Sequence, residues 1–95
     1  MLHLLKIQKC YADAIIDGRK NFEVRINDRG YNAGDKVLFN EVCDFPEHPI
    51  TNMTFEITYV HSGLGMAPNY VVFGLRKKIL EDSEKVKCYR EQSIK

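Results

Sequence analysis

Between residues 37 and 75 the chain carries no lysine and no arginine, only four acids: Glu41, Asp44, Glu47 and Glu56. A cationic surface therefore cannot come from the middle of the chain. Residues 1–36 hold seven bases against five acids and residues 76–95 seven against four, which leaves a net charge of only +1. That balance excludes a histone-like polycation, and an anion, if one binds, must meet residues from the two ends. No apolar run approaches the roughly 20 residues that a membrane-spanning helix needs. The opening MLHLLKIQKCY has a short apolar patch but no small-residue cleavage site, so no signal peptide is expected. No C-x-x-C pair is present, and Cys10, Cys43 and Cys88 are odd in number and far apart. Such a pattern suits reduced thiols in a cytoplasm, not a disulfide framework. His48 and His61 have no cysteine or carboxylate at metal-ligand spacing, so neither a metal nor any other cofactor is expected. The glycines of SGLG (62–65) lack both G-x-G-x-x-G and G-K-[ST], and read as a turn, not a phosphate loop. Repeats, low-complexity tracts and linkers are also missing.

What is present fits one small domain. At 95 residues a chain buries about two-thirds of its unfolded surface, enough for a modest core. LLKI (4–7) reads as a strand. KCYADAIIDG (9–18) reads as a helix, with Tyr11, Ala14 and Ile15 on one face and Gly18 just past the last turn. NFEVRI (21–26), KVLFNEVC (36–43) and MTFEITYV (53–60) read as strands, separated by the turn-rich NDRGYNAGD and DFPEHPITN. In the last of these, Met53, Phe55, Ile57 and Tyr59 are expected on one face and Thr54, Glu56 and Thr58 on the other. YVVFGL (70–75) reads as a strand buried on both faces. The charged tail, 79–95, carries a thin helical stripe of Ile79, Val86 and Tyr89. Five strands joined mostly by loops too short for crossovers give an α+β, mainly β expectation. The economical form is a small, mostly antiparallel barrel flanked by helices, over residues 1–78.

The stretch DGRKNFEVRINDRG (17–30) has seven charged residues in fourteen, yet Phe22, Val24 and Ile26 alternate through it. Period-two geometry puts those three toward the core and Asn21, Glu23 and Arg25 together on the other face. Lys20, just past Gly18, is expected to join the Glu23 side. Two residues along a strand span about 7 Å, so Glu23 and Arg25 can share a charge-assisted contact.

GRKNFEVR (18–25) resembles the G-x-K-x-x-E-x-R signature of ASCH domains, a branch of the PUA-like barrels. HLLKI (3–7), Y-x-x-x-I-x-x-G (11–18), N-D-R-x-Y-x-x-G-D (27–35) and G-L-G-x-x-x-x-Y-V-V (63–72) occur in the same order in short bacterial and phage members. The likeness covers roughly residues 3–76. It implies a pseudo-barrel with the first helix across its mouth and a cleft that binds RNA or a nucleotide. That cleft would contain Lys20, Glu23 and Arg25, joined as candidates by His3, Lys6, Asp28 and Arg29, with Tyr11 or Tyr70 as a stacking surface. The expected partner is RNA or a nucleotide, bound by a cytoplasmic monomer. Some members of the wider superfamily are enzymes, and one group deacetylates acetylcytidine with the signature lysine beside a threonine nucleophile. Here Glu23 stands where that threonine would, and a carboxylate cannot attack an amide as a hydroxyl does. Glu56 is the candidate later-strand acid. The alternative is therefore a hydrolase of a modified nucleoside with Lys20 and Glu23 as an acid–base pair, and a second alternative is a small regulatory module that binds a protein. Cys10, at the helix start, reads as a small buried apolar residue and not a nucleophile.

Overall fold

The computed structural model describes residues 1–78, so the tail and its Ile79, Val86 and Tyr89 stripe lie outside the described residues. Five strands and one helix follow in the order β1 (Leu2–Ile7), α1 (Lys9–Ile16), β2 (Phe22–Ile26), β3 (Lys36–Val42), β4 (Thr54–Ser62) and β5 (Tyr70–Lys78), with a 3-10 turn at Pro49–Asn52 before β4. They form one sheet in the order β1-β3-β4-β5-β2. β1 runs parallel to β3, and every other pairing is antiparallel. The sheet curls into a half-barrel, a mainly β pseudo-barrel with an N-terminal helix. The parallel β1–β3 pair needs a long connection, and α1 and β2 together supply it.

The two end strands, β1 and β2, face each other across a seam. Inside the curl, Leu5, Ile7, Val37, Phe39, Ile57 and Phe73 are almost wholly buried. Each such side chain contributes roughly 1.5–3 kcal/mol when removed from water. The helix α1 adds Ala12 and Ile15 to this core. With eight residues it is too short to be stable alone, so tertiary contacts hold it. Its Asp13 accepts from Lys9 Nζ at 2.7 Å and lies 2.7 Å from His48 Nε2. The His48 Nδ1 accepts the Ile50 N–H, so Nε2 carries the proton and donates to Asp13. Lys9, then His48, hold the Asp13 carboxyl below its ordinary value.

Three strand expectations need correction. β2 is turned over: Glu23 is buried and Arg25 half-buried, while Phe22, Val24 and Ile26 are 41%, 47% and 54% exposed. The reason is its position. β2 ends the sheet at the open seam, where its inward side chains meet the polar edge of β1 instead of the core. In β4 the register slips between Ile57 and Val60. The slip swings Tyr59 out to solvent and packs Val60 against the core, because an irregularity of this kind inverts the alternation beyond it. β5 buries one face only, through Val71, Phe73 and Leu75, and runs on to Lys78. Among the described residues, no helix is long and apolar enough to cross a membrane.

Candidate functional site

Gly18 has φ +79°, the left-handed conformation that ends helices and that side chains other than glycine resist. The turn it makes is closed by hydrogen bonds from the Arg19 and Lys20 N–H groups to the Ala14 carbonyl. Lys20 is thereby aimed back beneath α1. Its Nζ donates to Glu23 Oε1 at 2.6 Å and to the Phe22 carbonyl at 2.7 Å. The ammonium also lies 5.0 Å from the Phe22 ring centroid and 5.3 Å from that of Tyr11, within cation–π range. Arg25, two residues beyond Glu23 on the same face, closes the other side. Its Nε donates to Glu23 Oε2 at 2.8 Å, and Nη2 lies 2.7 Å from the same oxygen. One buried carboxylate is therefore held between two cations, each oxygen facing one of them.

Arg25 also crosses the seam, its Nη2 donating to the Lys6 carbonyl on β1. Arg29 does the same from the loop after β2, donating to the Leu4 carbonyl at 3.2 Å. No ladder joins β1 to β2, and these guanidinium groups span the gap instead.

Beside this cluster lies a hollow of about 890 Å³, bounded by the end of β1, α1, the Gly18 turn and β2. Lys6, Lys20, Glu23, Arg25, Tyr11 and Tyr70 all line it. Among the described residues, four that line it are cations (Lys6, Arg19, Lys20, Arg25) and one is an acid (Glu23), a local balance of +3. Lys6 and Arg19 are exposed, with Glu41 and Asp17 as partners at 3.3 Å and 2.9 Å. Among the described residues, every lining cation comes from the first 36 positions, and the middle of the chain adds only Cys43 and Tyr70 to the wall.

Three of the residues expected in the cleft lie elsewhere. His3 is 2% exposed and packs in the core, with its Nε2 2.8 Å from Asp35 Oδ2 and its ring 4.8 Å from that of Tyr31. The alternation of β1 gives the reason: His3 shares its face with Leu5 and Ile7, so it points inward, while Lys6 points out. That contact, assisted by the Asn32 N–H and the chain's amino terminus, holds the Asp35 carboxyl low. Arg29 spans the seam, and Asp28 lies 3.5 Å from Arg29 Nε, outside the hollow. Glu56 sits on β4 with Arg76, whose hydrogen bond lowers its carboxyl. Cys10, expected to be buried, is exposed at the start of α1 and does not line the hollow. Burial raises the Tyr31 hydroxyl above its ordinary value.

Sequence reasoning missed Arg19, Gln8, Cys43 and the rim formed by Phe22, Val24 and Ile26. Arg19 could have been found, since it leaves the same glycine turn as Lys20. Cys43 could not: it reaches the hollow because its N–H bonds the Ile7 carbonyl, a long-range pairing with no local signal. Among the described residues, no three His, Cys, Asp or Glu side chains are grouped to hold a metal ion.

The model of a family described as a domain of unknown function, DUF3850, matches residues 2–75. None of the curated proteins matches the chain.

Proposed function

Because the chain belongs to the DUF3850 family, which its residues 2–75 match, and that description assigns no activity, we propose from the site itself that the protein binds RNA or a nucleotide in the hollow beside β2. The observation that carries this reading is the pairing of a locally cationic hollow with largely apolar and aromatic walls. Its volume lies within the 300–1,000 Å³ usual for small-molecule sites. Phosphate suits Arg and Lys, while the faces of Tyr11 and Tyr70 suit a base, at roughly 1–3 kcal/mol per stacked base. In this reading Glu23 orients Lys20 and Arg25 and does not itself touch the ligand. Relation to the ASCH domains is part of the same proposal, since the three charged positions of G-x-K-x-x-E-x-R are the ones that meet here. So is action as a monomer in a reducing cytoplasm, in keeping with the free thiols of Cys10 and Cys43.

A titration of the full chain with short fluorescent RNAs at two salt concentrations tests the reading. Two or three phosphate contacts would weaken binding roughly sevenfold to twentyfold for a fourfold rise in salt. Substitution of the exposed pair, Lys6→Ala with Arg19→Ala, should lower both affinity and salt dependence without disturbing the fold. Absence of binding at low salt, or affinity indifferent to these changes and to Lys20→Ala, overturns it.

One observation favours a second reading, hydrolysis of a modified nucleoside: Lys20 Nζ and Glu23 Oε1 are 2.6 Å apart and both largely buried, close enough to pass a proton. It ranks below binding because both Glu23 oxygens already accept hydrogen bonds from cations, so neither faces the hollow unengaged. Turnover of a nucleoside panel that Glu23→Gln abolishes while binding persists would reverse that order.

A further inference from the structure

The register of β2 on β5 fixes which main-chain groups of β2 are used. The Leu75 N–H bonds the Asn21 carbonyl at 2.8 Å, and the Asn27 N–H bonds the Asn69 carbonyl at 2.7 Å. Directly opposed residues in an antiparallel pair alternate between exchanging hydrogen bonds and exchanging none. With Phe22 opposite Gly74 and Ile26 opposite Tyr70, the bonded positions are 21, 23, 25 and 27. The N–H and C=O groups of Phe22, Val24 and Ile26 therefore point away from β5, over the free edge that borders the hollow. Two of them have other partners. The Phe22 carbonyl accepts from Lys20 Nζ, and the Ile26 carbonyl accepts the Asp28 N–H. Val24, in the middle, keeps a donor and an acceptor side by side, and neither has a partner among the described residues.

The geometry points to the main chain of Val24 as the group that reads the base: its N–H and C=O pair with an adjacent acceptor and donor on one edge of a nucleobase. The inference rests on the nucleotide-binding reading above and adds how the ligand is recognised. Each of the four standard bases offers such a neighbouring pair. Peptide recognition of this kind therefore selects a nucleobase over a bare sugar phosphate, and hardly distinguishes one base from another. The surroundings agree with such a ligand. Tyr11 lies at the Lys20 end of the strand and Tyr70 opposite Ile26 at the other, and among the described residues the hollow's cations outnumber its one, already occupied, carboxylate. An open strand edge also accepts peptides, but the excess of cations favours a phosphate-bearing ligand.

The test uses the full chain at low salt with AMP, CMP, GMP, UMP and ribose 5-phosphate, read by calorimetry or competition. The four nucleotides should bind within roughly threefold of one another, and each at least about tenfold tighter than ribose 5-phosphate. Val24→Pro removes only the edge-facing N–H, a change that edge strands accept, and should cut that margin roughly three- to tenfold. Val24→Ala keeps the N–H and should keep the margin. Should the proline variant not fold, 3-methyluridine monophosphate decides on the unaltered protein, because its methyl group blocks the donor opposite the carbonyl. It should bind roughly three- to tenfold more weakly than UMP. Ribose 5-phosphate binding as tightly as the nucleotides, or 3-methyluridine monophosphate matching UMP, overturns the inference and leaves phosphate capture standing. No binding by any of the five overturns the inference, and the reading beneath it falls as well when the short RNAs of the titration above also fail to bind; uptake of an extended acidic peptide in their place overturns both.

Discussion

Glu23 is 5% exposed and is the hub of the charged cluster. A buried carboxylate needs cations and hydrogen bonds in place of the water it has lost, and Lys20 and Arg25 supply them. Replacing it leaves those two cations facing each other in a partly buried site. Glu23→Gln should cost about 2–3 kcal/mol, somewhat less than the loss of a fully buried ion-pair partner because Lys20 and Arg25 keep some contact with water. Urea unfolding at neutral pH measures it, and a loss under about 0.5 kcal/mol would mean that water already screens the cluster. Gly74 makes a second residue-scale prediction. Thr58 Oγ1 occupies the space where its side chain would be, so Gly74→Ala should destabilise by about 1–3 kcal/mol through overpacking, and Gly74→Ala with Thr58→Ala should regain part of the loss. At this scale the sequence foretold which ions meet, because G-x-K-x-x-E-x-R fixes spacing along a turn and a strand. It also held the information that His3 is a core residue, in the parity of His3, Leu5 and Ile7. A histidine among aliphatic positions is easily taken for a ligand until its acceptor, Asp35, is located thirty-two residues away.

Among the elements, α1 depends most on its surroundings. Its N-cap, Gln8, makes no side-chain cap bond, and its last turn carries no base. It is held by Ala12, Ile15 and the Asp13 contacts to Lys9 and His48, and it ends at a glycine with positive φ. Gly18→Val should cost about 1–2 kcal/mol and misdirect Lys20, so ligand affinity should fall along with thermal stability. The Asp13 contacts give α1 a pH dependence. A carboxyl held below its unfolded value of 3.8 adds stability at every pH above that value and loses it as the pH falls through the lower folded value. Amide exchange in α1 should therefore speed up relative to β3 as the pH drops below about 3.8, after correction for the intrinsic exchange rate. Asp13→Asn should abolish the difference. The positions of all five strands and of the helix were legible to within a few residues from hydrophobic periodicity and turn chemistry. Their orientation was less so. Alternation states which residues share a face and never which face meets the core. β2 was inverted because its inner face abuts a polar seam, and Tyr59 was misplaced because a slip in register leaves no mark in a strictly alternating strand.

For the molecule as a whole, the decisive property is that the sheet stops short of closing. That β1 and β2 would be its two ends is a matter of topology, which no local pattern encodes. The charge map along the chain was legible: among the described residues the hollow draws its cations from positions 1–36 and none from the cation-free middle. An open edge bearing Phe22, Val24 and Ile26 is a liability for self-association unless something blunts it. Ile26→Lys should raise the protein concentration at which light scattering appears on warming, and shift unfolding by less than about 0.5 kcal/mol. Unchanged scattering would mean that the arginines and Lys20 already shield that edge.

Arg25 and Arg29 bridge β1 and β2 where no ladder joins them, so drawing these strands apart breaks no rung of the sheet. The halves of the curl are thus joined at the seam by side chains that can let go one at a time, and the seam can part sideways without unzipping the sheet.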